Sequence, residues 1–335
     1  MIKLIQGDVL EKLKAGTPES VQTVITSPPY WGLRDYGVDG QIGLEKTPEE
    51  YVAKMVEIFA EVKRVLRPDG TLWLNLGDSY ASGKGTCHNP GGNTSSFNVH
   101  LKAANVHPLD RGNKSSLEKI GLKPKDLIGI PWRVAFALQA DGWYLRSCMP
   151  WIKRNPMPES CKDRPSTTIE YVFLLSKSKR YYYDGEAVKI DAVTADLRRP
   201  YAPGQVDGRG NGHDRGGGEL RKTKTSTRAY RSSDPFFSSF QGLLLDEDLD
   251  PLAMVVNTTP YKGAHFATFP ERLVEPFIKA GSKEGDLILD PFMGSGTVGA
   301  VCKRLNRRFV GIELNEEYIK LAQERMDKVP SQFFP

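Results

Sequence analysis

One string does most to limit what this chain can become: Leu287-Ile288-Leu289-Asp290-Pro291-Phe292-Met293-Gly294-Ser295-Gly296-Thr297. An apolar run of strand character enters a glycine-rich turn, and a helix is expected over 296–305. A strand over 308–313 and a helix over 316–329 follow. Strand, tight turn, helix and strand again form a βαβ unit, and such units build parallel sheets covered on both faces. The turn itself admits more than one reading. Gly294, Gly296 and Gly299 fit G-x-G-x-x-G, which dinucleotide enzymes share and which an ordinary βα turn can also satisfy. The acid at its mouth separates the readings. Asp290 would repel a diphosphate, whereas a ligand carrying an ammonium and a sulfonium would accept it. S-adenosylmethionine is such a ligand. Glu313, at the end of the next strand, is positioned to hold ribose hydroxyls.

The rest of the chain continues the alternation. A β-branched run over 21–26 stops at Ser27-Pro28-Pro29. Thr47-Pro48-Glu49-Glu50 is a helix start, with a capping Thr, Pro in the first turn and Glu three residues after the cap. Tyr51, Val52, Met55, Phe59, Val62 and Leu66 then recur at a helical period, and Arg67-Pro68-Asp69-Gly70 ends that helix. Strands are expected over 71–76, 144–153 and 171–176, and helices over 128–139 and 271–280. Residues 82–119, rich in Gly, Asn and Ser, read as a long loop.

Charge is distributed unevenly. Between Lys189 and Arg231 ten basic residues face five acids, which accounts for the whole net charge of +5. Glycine is abundant there and apolar residues are sparse, so the segment is either a solvated loop or an element that tracks a phosphate backbone. The longest apolar run is far short of a membrane span, and the opening residues lack a basic segment followed by a long apolar stretch. Four scattered cysteines with no C-x-x-C indicate a reducing, cytoplasmic setting. Cys87, His88, His100 and His107 fit no zinc spacing, so no metal is expected.

The second chemical string is Thr26-Ser27-Pro28-Pro29-Tyr30-Trp31, just past the carboxyl end of a strand, where open α/β sheets take ligands. Two prolines remove N–H donors. The Ser27 hydroxyl and the Pro28 carbonyl remain as acceptors beside an aromatic ring, which is what an extruded base with an exocyclic amine requires.

Together these strings resemble the amino-methylating DNA methyltransferases, which act on cytosine N4 or adenine N6. Ser27-Pro28-Pro29-Tyr30 is similar to the family's catalytic string, and Asp290 to Thr297 matches its cofactor string in full. His265-Phe266-Ala267-Thr268-Phe269-Pro270 resembles its second cofactor motif, Gly7-Asp8 its acid at the cofactor adenine, and Trp151-Ile152-Lys153-Arg154-Asn155-Pro156 a strand lining the target-base pocket. The order, catalytic string first, resembles the circularly permuted class called beta.

The resemblance implies a Rossmann-like, S-adenosylmethionine-dependent α/β fold. It divides the chain into a catalytic half (1–81 and 120–188) interrupted by the 82–119 loop, a target-recognition region (189–258) and a cofactor-binding half (259–335). Implied cofactor residues are Asp8, Phe266, Thr268, Phe269, Asp290, Pro291, Phe292, Gly294, Ser295, Gly296, Thr297 and Glu313. Trp31, Trp151, Lys153 and Asn155 would line the base pocket. Arg198, Arg199, Arg209, Arg215, Arg221, Lys222, Lys224 and Arg228 would meet DNA. Double-stranded DNA is the implied partner, with a cognate restriction endonuclease possible, and a monomer or homodimer is expected. Ser as the first catalytic residue goes more often with cytosine N4 than with adenine N6. Rival readings are an oxidoreductase, which leaves Ser27 to Tyr30 unexplained, a DNA-binding protein without activity, and methylation of RNA or protein, where Asn usually replaces Ser27. Cytosine C5 chemistry needs a cysteine after proline, and the chain has none.

Overall fold

The computed structural model describes residues 1–32, 37–81, 121–153, 163–188, 254–256 and 270–330. Contacts divide the chain into one unit of Met1–Asp184 with Ala253–Pro335 and another of Gly185–Leu252; the architecture below is that of the first. In chain order it comprises β1 (Ile2–Gln6), α1 (Val9–Lys14), β2 (Val21–Thr26), α2 (Pro48–Val65), β3 (Leu66–Leu76), α3 (Ile130–Ala140), β4 (Tyr144–Ile152), β5 (Ile169–Ser176), β6 (Met254–Val255), α4 (Glu271–Gly281), β7 (Leu287–Asp290), α5 (Thr297–Arg304), β8 (Arg308–Glu313) and α6 (Glu316–Asp327).

The strands form one sheet in the order β1-β8-β7-β2-β3-β5-β4-β6. All run parallel except β5, which is antiparallel to β3 and β4. Central strands are buried on both faces, so alternate residues serve different layers. Val24, Leu289 and Ile312 join a cluster with α1, α2 and α3. Ile25, Ile288 and Phe309 are equally buried but lie outside that cluster. On their side Trp73 stacks on Phe277 of α4 at 4.7 Å. Met55, Ile58, Phe59 and Val62 of α2 are fully buried, and each contributes about 1.5–3 kcal/mol of apolar transfer.

From β7 the chain winds through α5 to β8 on one side, and from β2 through α2 to β3 on the other. The winding therefore reverses between β7 and β2. In open α/β sheets that reversal leaves a crevice beyond the strands' carboxyl ends, where ligands bind.

Structure and expectation differ most at two boundaries and two elements. The expected stop at Arg67–Gly70 lies inside β3: Val21 pairs with Leu66 and Thr23 with Thr71, so the extra residues form a bulge. A Cβ on Gly70 would sit 2.8 Å from the Leu66 side chain, so the bulge closes tightly over a glycine. Helix α3 begins at Ile130 because Asp78 Oδ1 accepts from the Gly129 and Ile130 amides at 2.9 and 3.0 Å. The elements β1 and α1 were not expected. Their signal is a short alternation, Ile2-x-Leu4, followed by a helix of under two turns. The expected loop of 82–119 lies outside the described residues, as does the recognition region 189–258 apart from 254–256. No helix among the described residues is long and apolar enough to cross a membrane.

Candidate active site

The crevice brings the two strings together. Thr26, the last residue of β2, donates its hydroxyl to Asp290 Oδ1, the last residue of β7, at 2.7 Å. This buried bond spans 264 residues of sequence and fixes Ser27 beside the glycine turn. On the far side of β7, the Gly7 amide donates to the Glu313 carbonyl at 3.0 Å. Asp8, Glu313, Asp290 and Ser27 thus stand at the carboxyl ends of four adjacent parallel strands.

Asp290 is 1% exposed, and its Oδ1 also accepts from the Phe292 amide at 3.1 Å. Burial pushes its carboxyl up to about 7; the bonds from Thr26 and Phe292 oppose that rise, and Glu313 adds to it. Burial raises Glu313 as well, against the pull of its backbone donors. Glu313 Oε2 accepts from the Gly294 amide at 2.8 Å and Oε1 from the Asn315 amide at 2.9 Å. With Leu314 as a third backbone donor, the two oxygens still keep lone-pair capacity for a ligand hydroxyl. Gly294 and Gly296 adopt φ of 52° and 77°, conformations that glycine takes without strain. A Cβ on Gly296 would come within 2.8 Å of Ala322.

Neither Asp290 nor Glu313 is paired with a lysine or arginine among the described residues. Two desolvated carboxyl groups without a cation repel an anionic ligand and fit one that carries positive charge. The donor set therefore suits S-adenosylmethionine and does not suit a diphosphate. Pro291 is buried at the turn, and Phe292 packs against the core. Ser295 and Thr297, also buried, turn toward Arg325: its guanidinium donates to Thr297 Oγ1 at 2.8 Å and to Ser295 Oγ at 3.4 Å. Asp8 caps α1, accepting from the Glu11 amide at 2.9 Å. Phe266, Thr268 and Phe269 lie outside the described residues.

The Ser27–Tyr30 string is held by hydrogen bonds with neighbouring elements. Tyr51, buried in α2, donates its hydroxyl to the Pro29 carbonyl at 2.9 Å. No bond among the described residues engages the Pro28 carbonyl. Tyr30 donates its hydroxyl to Glu170 Oε2 at 2.7 Å, and its ring lies so close to Gly77 that a Cβ there would meet it at 2.6 Å. Burial, then the Glu170 charge, holds the Tyr30 phenol well above its ordinary pKa. Asn75 Nδ2 donates to Tyr30 Oη at 2.8 Å and to Glu170 Oε2 at 2.9 Å, with Ser27 Oγ farther at 3.3 Å. Lys153 closes the group with an ion pair to Glu170 Oε1.

Sequence reasoning missed Asn75, Gly77 and Glu170. Their trace is a polar residue inside the apolar run Leu72-Trp73-Leu74-Asn75-Leu76 and an acid opening the run Ile169-Glu170-Tyr171-Val172.

Two expected pocket residues are buried. Trp31 is 0% exposed, with its indole N–H on the Glu45 carbonyl at 2.9 Å, so it is a core residue. Trp151 is 2% exposed and donates to the Val256 carbonyl at 2.9 Å. Large aromatic rings gain much from burial, and in both the indole N–H finds a carbonyl partner. Asn155 lies outside the described residues, as do Arg198, Arg199, Arg209, Arg215, Arg221, Lys222, Lys224 and Arg228. No group of three potential metal ligands occurs among the described residues.

The arrangement offers two acceptors and a fixed ring beside an electronegative crevice. Residues 21–324 match the N6/N4 methyltransferase family model described as DNA methylase. The chain is 45% identical to the type II methyltransferase M.Cfr9I of Citrobacter freundii, over 96% of this chain and 87% of that protein. It is 42% identical to M.SmaI of Serratia marcescens, over 97% of this chain and 90% of that protein. Among solved structures it is similar to the PvuII DNA methyltransferase described as cytosine-N4-specific, with 18% identity and a TM-score of 0.59, covering 99% and 88% of the two chains. A Thermus thermophilus putative DNA modification methylase complexed with S-adenosyl-L-methionine aligns at 21% identity and a TM-score of 0.57, covering 99% and 96%.

Proposed function

The chain belongs to the N6/N4 DNA methylase family, and we propose that within it this protein methylates cytosine N4 in double-stranded DNA, using S-adenosylmethionine. When bound, that cofactor supplies an electrophilic methyl group on a sulfonium. The observation that carries the reading is the Thr26–Asp290 bond, which sets the acceptor pair against the negative crevice.

An aromatic exocyclic amine is a weak nucleophile because its lone pair is delocalised into the ring. Ser27 Oγ and the Pro28 carbonyl are available to accept from that amine and favour a pyramidal nitrogen. Such bonds strengthen as the reaction proceeds, so they accelerate it instead of only binding substrate. Tyr30, fixed by its hydroxyl, offers a ring of set orientation to the extruded base. Asp290 and Glu313 hold the cationic and ribose parts of the cofactor. Alignment of the two ligands is this chain's main contribution.

Cytosine is favoured over adenine because Ser as the first residue of this string goes more often with cytosine N4 in the family; a hydroxyl that also donates suits the ring nitrogen beside the amine in either base. Adenine N6 is the second reading, since its N1 offers a similar acceptor. The basic segment 189–231 is the element proposed to track the DNA backbone. The type II designation of the relatives favours a cognate restriction endonuclease as a companion enzyme in the cytoplasm of a bacterium, archaeon or phage host, with the methyltransferase acting as a monomer or homodimer. Transfer of labelled methyl to DNA, RNA and protein in parallel tests the substrate class: label in DNA alone is expected, and label in RNA or protein refutes it.

A further inference from the structure

Glu170 is the second residue of β5, the one antiparallel strand among the described residues, and that reversal brings it to the end of the sheet where Ser27 stands. Its register partner on β4 is Trp151, two residues before Lys153. Glu170 is 12% exposed and is fully engaged: Oε1 takes the Lys153 ammonium, and Oε2 takes both the Tyr30 hydroxyl and the Asn75 amide. Burial alone would raise its pKa, but Lys153 and the bonds from Asn75 and Tyr30 hold it below the ordinary value, so it is an anion at neutral pH.

The allotment of hydrogens around Ser27 follows from this anion. Tyr30 has one hydroxyl proton, and it goes to Glu170. Asn75 has two amide protons, and its shorter contacts are Tyr30 Oη and Glu170 Oε2. Ser27 Oγ, 3.3 Å from both Tyr30 and Asn75, is left with long contacts only. Its proton is held only by the long contact to Tyr30 Oη and its lone pairs only by the long contact from Asn75, so both can turn to a base. Without a strong acceptor at position 170, both neighbouring donors would turn to Ser27 and occupy the lone pairs that the substrate amine needs.

We propose that Glu170 is a positioning residue for methyl transfer: it draws the Tyr30 and Asn75 donors away from Ser27 and fixes the Tyr30 ring, with Lys153 holding its charge. This rests on the reading of the site as a DNA amino-methyltransferase, which the native enzyme tests in the same assay.

The experiment measures single-turnover methyl transfer to unmethylated plasmid DNA and, by calorimetry, cofactor affinity, for the native enzyme, Glu170→Gln, Tyr30→Phe and the double variant. A glutamine has one acceptor oxygen and presents its NH₂ to donors on one side or the other. E170Q is expected to slow transfer about ten- to a hundredfold, roughly the weight of one hydrogen bond to a charged group, with cofactor affinity unchanged within about twofold. Y30F keeps the ring and loses the link, so it should slow transfer in the same way, and E170Q should cost less in its background than alone. If E170Q does not fold, Y30F carries the test alone. A native rate in E170Q or Y30F, fully multiplicative effects in the double variant, or a parallel loss of cofactor affinity overturns the proposal.

Discussion

Replacing Asp290 by Asn removes a charge from the crevice while keeping its shape. An amide oxygen still accepts from Thr26 and Phe292, so the fold should persist. Burial pushes the Asp290 carboxyl up to about 7 in the absence of cofactor. At pH 8 it is mostly ionised and ready for a cation; at pH 6 about one molecule in ten is. Each cofactor bound at pH 6 must therefore expel a proton, and with 1.36 kcal/mol per pH unit the affinity should be about tenfold weaker at pH 6 than at pH 8. The cofactor's own amino group titrates in this range too, so the informative quantity is the difference between the native protein and D290N.

Stability follows the same linkage. A carboxyl whose folded pKa lies above its unfolded value of 3.8 contributes stability below pH 3.8, and that contribution is lost as pH rises to about 7. Three units correspond to about 4 kcal/mol. A bound cation restores that loss, so the rise in Tm on adding cofactor should be larger at pH 8 than at pH 6. Glu313, raised by burial, adds in the same direction. Calorimetry at both pH values with two buffers of different ionisation enthalpy counts the protons. An affinity in the native protein that varies with pH no more than that of D290N refutes the assignment of Asp290 to a cationic ligand.

Ser27→Ala should cut single-turnover methyl transfer by two orders of magnitude or so while cofactor affinity stays put, because its hydrogen bond forms only with an extruded base; equal loss of both would make Ser27 a structural residue. Glu313→Ala should weaken cofactor binding by one to two decades, about 1.5–3 kcal/mol, as calorimetry would read; unchanged affinity removes Glu313 from the cofactor site. Deleting 204–228 should leave a protein that binds cofactor but has lost DNA affinity, and native binding should fall steeply with salt. Full activity of the deletion would reduce the segment to a passive loop.

Local signals were readable because their physics is local. Thr47 accepts from the Glu50 amide at 3.1 Å, and Glu50 reaches back to the Lys46 amide at 2.9 Å, which is the cap that four consecutive residues announce. The strand–turn–helix at Asp290 to Thr297 is likewise contiguous, and its glycines take the positive φ values that such a turn requires. What could not be read is pairing at a distance. No periodicity indicates that Thr26 meets Asp290, since that contact depends on strand order. Glu170 resembles any acid at a strand end until the reversal of β5 brings it under Tyr30. Trp31 adjoins the catalytic string in sequence, yet its backbone turns it inward to the Glu45 carbonyl. Adjacent residues in a tight turn can face opposite sides, and sequence proximity does not distinguish them.

The most direct test of the account is the identity of the modified nucleoside. DNA methylated by the purified protein, digested and separated by mass spectrometry against nucleoside standards, should yield N4-methylcytosine. N6-methyladenine in its place would contradict the base assigned here, and 5-methylcytosine or an unmodified product would contradict the chemistry assigned to Ser27 and Pro28.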